Sequence, residues 1–592
     1  MTEVRRSCRI GWALRGHAPA TALIALSAVV CYANTFHSSF HLDDLPAIVD
    51  NPKIRSLGSF LGRGAGYGFL SAPRYLGWLS FALDFSLHGL DVVGYHAVNL
   101  AIHLGNAVLL YGIVRLAWRT PRMGGPRTCG ADEDRIGPLL AALLFAVHPV
   151  QTQAVTYVVQ RFASLATLFY LGTVLAYASW RLAREKGCPR PFFYALSLAL
   201  AACALRTKEI AYTLPLALAL FEAVFFRGEA RRRARGLAPY FALAVALFGA
   251  TLALGGPLLE VVGPPAGPGV LRPTRSEYLL TEARVVVTYI RLLLWPAGQN
   301  VDYDVPLSRS LDGTVLASSL LLVGLLALAL ALLRRAGDNR WPRLAGFGIL
   351  WFFLTLTVES GAIPLADVLF EHRLYLPSVG AFAAVSASAV AAFSALRGWP
   401  LLVRRAAVAA LVVLLVAFGV STRARNRVWR DEVILWEDVT RKSPGKARGY
   451  VNLGAAYQNL GQFGRALAAF DRAVALEPRD ADAYGDRAVT YLSLGRYDLA
   501  LRDLTVALAL APSFAQAYSN RGLVRYRTGD VLGAILDYNR ALRLLPGEAA
   551  IHYNRGLAYA RVGRLDLAVG DYRSACNLGH EAACRALATL GR

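Results

Sequence analysis

Charge is scarce in this sequence. Only 17% of its 592 residues are Asp, Glu, Lys or Arg, while 55% are hydrophobic, and the mean hydropathy is +0.40. That balance excludes an ordinary soluble globular chain and is the pattern of a polytopic membrane protein. Acidic residues are the scarcer sign, 40 against 63 Lys and Arg, which leaves a net charge of +23. Most of the arginines flank apolar runs, where anchoring to anionic lipid headgroups accounts for them better than a nucleic-acid groove. No nucleic-acid partner is expected. Cysteine is also sparse: the seven residues form no CxxC pair and no zinc-ligand spacing. Cys8, Cys31, Cys129, Cys188 and Cys203 lie in or beside apolar runs and read as packing, and only Cys576 and Cys584 look like a pair. No small-residue cleavage site follows the basic N-terminus, so the first apolar run reads as an uncleaved span. No inverted repeat relates the spans, which argues against a transporter.

Apolar segments recur at 18–36, 95–118, 136–147, 162–181, 191–206, 210–226, 237–256, 314–333, 344–358, 375–396 and 401–420. These make about eleven candidate spans, several shorter than the ~20 residues of a full crossing. Orientation follows from the basic clusters. Arg5, Arg6, Arg9 and Arg15 place the N-terminus in the cytoplasm, and alternate loops carry the groups around Arg119, Arg184, Arg232, Arg335 and Arg404. All fall on one side if residues 284–296 lie in the membrane interface, which Arg284, Arg291 and Pro296 favour. Arg423, Arg425, Arg427 and Arg430 run against this layout, since they follow the last span on the far side. The expected location is the inner (plasma) membrane, with the C-terminal domain extracytoplasmic.

From about Ala447 the composition turns soluble and a 34-residue period sets in, the mark of tetratricopeptide repeats. Tyr450, Gly454, Phe470 and Pro478 recur as Tyr484, Ala488, Leu504 and Pro512, then as Tyr518, Gly522, Tyr538 and Pro546. A fourth copy carries Gly556 and Tyr572 without the proline. The expected fold is all-α: a helical membrane domain over 1–420, a juxtamembrane linker over 421–446, and an α-solenoid over 447–592. Its repeats fall at about 447–480, 481–514, 515–548 and 549–582. Repeats of this kind hold peptides or proteins in a concave groove.

The face opposite the arginine clusters gathers the unusual polar residues. These are Asp43 and Asp44 directly after the first span, His148 to Arg161, Lys208 with Glu209, Asp302 with Tyr303, and Glu371 to Arg373 with Tyr375. Adjacent carboxylates at a helix end are costly unless they bind something or meet water. They suit deprotonation of a hydroxyl or a divalent cation, magnesium or manganese, although no metal-ligand spacing accompanies them. Capping of a short helix by Asp44 ahead of Pro46 is the plainer use.

The ordered set resembles the TMTC family, transmembrane and tetratricopeptide-repeat-containing O-mannosyltransferases. It comprises Phe40-His-Leu-Asp-Asp44, Tyr95 to His103, His148-Pro-Val-Gln-Thr-Gln-Ala-Val-Thr-Tyr157, Lys208-Glu209, Leu293-Leu-Trp-Pro296 with Asp302-Tyr303, and Glu371-His-Arg-Leu-Tyr-Leu-Pro-Ser378. The resemblance implies a GT-C type membrane glycosyltransferase that takes a sugar from a polyprenyl-phosphate carrier. The sugar, mannose or another hexose, would pass to Ser or Thr of exported proteins. Gln160-Arg161 and the place of Arg373 depart from the eukaryotic pattern and read as a bacterial branch. Under this resemblance Asp43 or Asp44 takes the acceptor proton, while Arg373, His372, Lys208 and Arg161 face the donor phosphate. For Lys208 and Arg161, snorkelling toward the interface is an equal reading. The segment around Cys576 and Cys584 resembles the disulfide-tied Sel1-like repeat, which implies a bridge there; two free core thiols are the other reading. A non-catalytic scaffold, or a transferase with a lipid or polysaccharide acceptor, stays open at this point.

Overall fold

The computed structural model describes residues 17–62, 68–123, 133–188, 190–254, 273–337, 339–361, 363–365 and 367–590. Cys8, Cys129, Arg5, Arg6, Arg9 and Arg15 lie outside them. The described residues form helices and no strand, in two compact units that divide between Asp431 and Glu432.

In the membrane unit each of the eleven apolar segments is helical, as a backbone in hydrocarbon must be to satisfy its own hydrogen bonds. Seven of these helices among the described residues are long and apolar enough to cross a membrane by length and composition. Four are shorter: Glu133–Val147, Pro191–Leu205, Leu214–Phe225 and Arg340–Leu356. Polar caps start several of them. Asp91, Asp312 and Asn339 each accept from backbone N–H groups of the first turn. Close helix approach depends on small residues. A Cβ on Gly348 would meet the Gly380 carbonyl oxygen, so Arg340–Leu356 and Tyr375–Ala395 pack backbone to backbone there.

Two irregular elements shape one end of the bundle. Pro149 ends the helix that reaches Val147; the chain bends by 52° and continues as the short buried helix Thr152–Thr156. The helix Arg275–Leu294, which contains most of 284–296, opens with a capping box of Thr274 and Glu277. Its Tyr278 hydroxyl donates to the Glu359 carbonyl and its Tyr289 hydroxyl to the Phe370 carbonyl, both in the loop ahead of Glu371. Both of its halves therefore touch the loop ahead of Glu371, and it is not among the helices that are apolar enough to cross a membrane by length and composition.

Two readings meet a different structure. Cys188, read as packing, is disulfide-bonded. The arginines after the last span are partly drawn into packing: Arg425 is buried, and Arg423 donates to the Val30 carbonyl.

In the second unit, helix Glu432–Lys442 precedes four helix pairs, Ala447–Asn459 with Phe463–Leu476 through Ala549–Arg561 with Leu565–Asn577, and a last helix Glu581–Leu590. The register is the one the 34-residue period predicts. Gly454, Gly522 and Gly556 lie flat against the rings of Phe470, Tyr538 and Tyr572, where a Cβ would sit 2.7–2.8 Å from ring atoms. A second periodic device joins the last three pairs. Arg487 forks onto Asp503, Arg521 onto Asp537 and Arg555 onto Asp571, each through two bonds of 2.6–2.9 Å. Cys576 and Cys584 form a disulfide between the last two helices.

Candidate active site

The two aspartates divide into different roles. Asp44 is 1% exposed, and its carboxylate accepts from the backbone N–H of His41 at 3.0 Å and of Val159 at 2.7 Å. It fastens the loop to the turn after the short helix. Burial pushes Asp44 up to about 8, against the lowering effect of those N–H groups. Asp43 is exposed, and its backbone N–H donates to the Tyr157 hydroxyl at 2.9 Å. Between His41 and Asp43, Leu42 has φ +53°, the only non-glycine residue with positive φ among those described. A bulky residue held there stores roughly 1–2 kcal/mol of strain. The turn sends one carboxylate inward and leaves the other at the surface.

The loop is gripped from a second side. His41 Nε2 lies 2.7 Å from the Trp429 carbonyl oxygen, and the Trp429 ring stacks on Tyr157 at 5.2 Å between centroids. The short helix Thr152–Thr156 thus carries the loop at its C-terminal end. Near its start, Gln153 Oε1 accepts from the backbone N–H of His372 at 2.7 Å. Four residues separate Gln153 from Tyr157, a rise of roughly 6 Å. That one turn joins the Asp43 loop to the Glu371–Arg373 segment.

Around that segment lies a buried mixed-charge cluster. Lys208 Nζ pairs with Glu359 at 2.5 Å, and Arg74 forks onto Glu209 at 2.9 and 3.1 Å. Burial raises the Glu209 carboxyl, but Arg74 outweighs it and holds the group below its usual range. Arg373 is buried; its Nη atoms donate to the Val368 and Asp367 carbonyls, and its guanidinium lies 5.5 Å from the Phe370 ring centre. His372 stacks on Phe370, and its Nδ1 has no hydrogen-bond partner.

Other residues singled out in the sequence have their bonds taken within the fold. Arg161 is 0% exposed and pairs with Asp84 at 2.6 Å, while its remaining N–H groups reach Asn99, Tyr95 and Ser80. Glu371 accepts from Gln299, from the Asn300 N–H and from the Tyr303 hydroxyl, so both oxygens are satisfied. Asp302 is buried in the same knot, its carbonyl accepting from Asn300 Nδ2. The Tyr375 hydroxyl meets His103 and Asn106 in the helix core, and His148 accepts the Val150 N–H while packing on Phe382 and Phe418. Arg74 and Glu282 belong to the site and carry no sequence motif. The place of Arg74 follows from its distant partner Glu209, and that of Glu282 from its burial beside Arg373.

The donor set for a cation is thin. Asp44 has both oxygens engaged, the Asp43 carboxylate faces the Tyr157 hydroxyl, and among the described residues no group of three His, Cys, Asp or Glu side chains converges.

Fold and site define a polytopic helical membrane protein that ends in a repeat solenoid and carries a polar site at one end of its bundle. Tetratricopeptide repeat models match residues 453–519 and 519–583. Along 78% of the chain it is 27% identical to the protein O-mannosyl-transferase Tmtc3 of Drosophila melanogaster, of which it covers 55%. It is 28% identical to human protein O-mannosyl-transferase TMTC4 over 76% of this chain and 65% of that one. To mouse TMTC1 it is 34% identical over 33% of this chain and 21% of that one. Each of these alignments covers less than two thirds of the relative's own length. Among solved structures, MamA is 26% identical over 26% of this chain and 88% of its own, with a TM-score of 0.24. The chain is similar to the TMTC proteins, as its ordered motifs had indicated.

Proposed function

We propose that this protein is a membrane glycosyltransferase that moves a hexose from a polyprenyl-phosphate carrier to Ser or Thr hydroxyls of exported proteins. The observation that carries the reading is the short helix Thr152–Thr156, which joins an exposed carboxylate on a strained, anchored loop to a cluster holding Arg373, Lys208 and Arg74. The relatives' name as protein O-mannosyl-transferases supports the reaction class. The acceptor hydroxyl oxygen attacks the anomeric carbon as the bond from that carbon to the carrier phosphate breaks. Asp43 takes the hydroxyl proton. The electron pair leaves on the phosphate oxygen, whose charge Arg373 and Lys208 balance. Attack opposite the leaving group inverts the anomeric carbon. Asp44 holds the loop and does not touch substrate.

In this reading the site faces away from the cytoplasm and the carrier lies in the inner membrane. The N-terminus is cytoplasmic, the repeats are extracytoplasmic, and their groove engages the acceptor protein. The departures at Gln160-Arg161 and Arg373 mark a bacterial branch. The test is a mass-spectrometric survey of exported proteins from cells making wild type or Asp43→Asn at matched membrane levels. Hexose on Ser or Thr that disappears in the variant supports the reading. Identical, unmodified proteins from both strains would contradict it and leave a scaffold or a non-protein acceptor.

A further inference from the structure

Glu282 is the one carboxylate near Arg373 with neither oxygen in a hydrogen bond. It is 3% exposed, on the inward face of helix Arg275–Leu294, and both Oε1 and Oε2 lack a partner. A buried carboxylate ordinarily has its lone pairs filled by protein donors, because leaving them empty is costly. Its neighbourhood leaves other groups open as well. The Ser360 hydroxyl is buried without a partner, and His372 presents an unpartnered Nδ1. Arg373, Tyr278 and Tyr289 surround the same point: each of the three interacts electrostatically with Glu282, and the two tyrosine hydroxyls are tied to the backbone at Glu359 and Phe370. Burial pushes Glu282 up to about 7, against the Arg373 charge and against the Ser360 and Tyr278 hydroxyls, which face the carboxylate without reaching hydrogen-bond geometry. The loop 359–370 is strapped at both ends to the helix that bears Glu282, so these groups are held in place without a ligand.

A ligand that fills this set must bring hydrogen-bond donors to two adjacent carboxylate oxygens and an acceptor to Ser360, next to a cation. Phosphate brings acceptors only. Vicinal hydroxyls of a pyranose bring one donor to each oxygen and can accept in turn. Resting on the transferase reading above, we infer that Glu282, with Ser360, is the subsite for the donor's sugar ring. Its carboxylate receives two neighbouring ring hydroxyls while Arg373 takes the phosphate at the other end. The cluster then divides along the substrate. Arg373 and Lys208 read the part common to all polyprenyl phosphates, and Glu282 reads the hexose. A site built to accept hydroxyl protons rejects a ligand that lacks them, since its own buried groups are left unpaired.

The experiment uses the full chain in lipid nanodiscs and two probes, synthetic polyprenyl-phosphate mannose and sugarless polyprenyl phosphate. Affinities are measured for wild type, Glu282→Gln and Glu282→Ala, with a thermal melt on each. Wild type is expected to hold the mannosyl lipid on the order of tenfold or more above the bare lipid, since each hydrogen bond to a charged group carries roughly that factor. Glu282→Gln removes most of this difference, while the bare lipid's affinity stays level or rises, because a negative charge beside Arg373 is gone. Its melting temperature stays level or rises, because the variant loses an unpaired buried charge. A structural role would instead lower the melt and weaken both lipids together, which overturns the inference. Equal binding of the two lipids by wild type overturns the sugar subsite and leaves the transferase reading standing. Binding of neither lipid overturns both.

Discussion

Replacing the two aspartates by asparagine separates chemistry from anchoring. At position 44 the carboxylate accepts from two buried N–H groups, one on each oxygen, at 3.0 and 2.7 Å. Asparagine offers one acceptor oxygen and turns an NH2 group toward the other donor. One buried backbone N–H is then left facing a donor, at a cost of about 1–3 kcal/mol. Measured near pH 4.5, Asp44→Asn should lower the melting temperature by about 1–3 °C, and its activity should fall in step as the Leu42 turn loosens. At position 43 the side chain is exposed and faces the Tyr157 hydroxyl, and asparagine keeps both an acceptor oxygen there and the backbone N–H bond to Tyr157. Asp43→Asn should therefore melt as wild type does, yet lose a factor of about 10²–10⁴ in turnover, the contribution of a positioned general base. The assay pairs scanning fluorimetry of the purified full chain with transfer of labelled hexose to a Ser/Thr peptide. Full turnover in Asp43→Asn, or an unchanged melt with abolished turnover in Asp44→Asn, would refute this division of roles.

Stability should depend on pH with a defined sign. Asp44 ordinarily titrates near 4 and is raised here to about 8 by burial, so the folded state keeps a proton that the unfolded state releases. Between about pH 4 and 8 the unfolded chain binds fewer protons, and stability falls as pH rises through that window. Asp44→Asn should flatten this fall, and melts taken from pH 4.5 to 8 check it. Arg161 and Asp84 make a buried pair at 2.6 Å, so Arg161→Ala, which strands the carboxylate, should cost about 3–5 kcal/mol and deplete the protein from membranes. The double variant Arg161→Met with Asp84→Leu should recover level and turnover. If it recovers level alone, Arg161 has a part in the chemistry.

Much of the architecture was legible because it is periodic. The 34-residue repeat fixed the helix pairs from Ala447 to Asn577, since Gly454, Gly522 and Gly556 can stand only where an aromatic ring crosses. The apolar runs gave the helices. The candidate site was legible only as a set of segments. Nothing local distinguishes Asp43 from Asp44, because their roles follow from the φ of Leu42 and from N–H donors near Val159. Arg161 looked like a phosphate ligand because its partner, Asp84, lies in the helix Tyr75–His88, outside every apolar run. Glu282 gave no signal at all: a glutamate on an amphipathic helix is ordinary until burial leaves its oxygens without donors.

Reconstitution tests the central claim most directly. Full-length protein in nanodiscs is given polyprenyl-phosphate mannose labelled in the sugar and a peptide carrying a single threonine, and the product is read by mass spectrometry and by the anomeric coupling in NMR. The account predicts one hexose on the threonine with inverted configuration, lost in Asp43→Asn and in Arg373→Ala. A retained configuration would contradict direct displacement. Transfer that survives in Asp43→Asn would contradict the site.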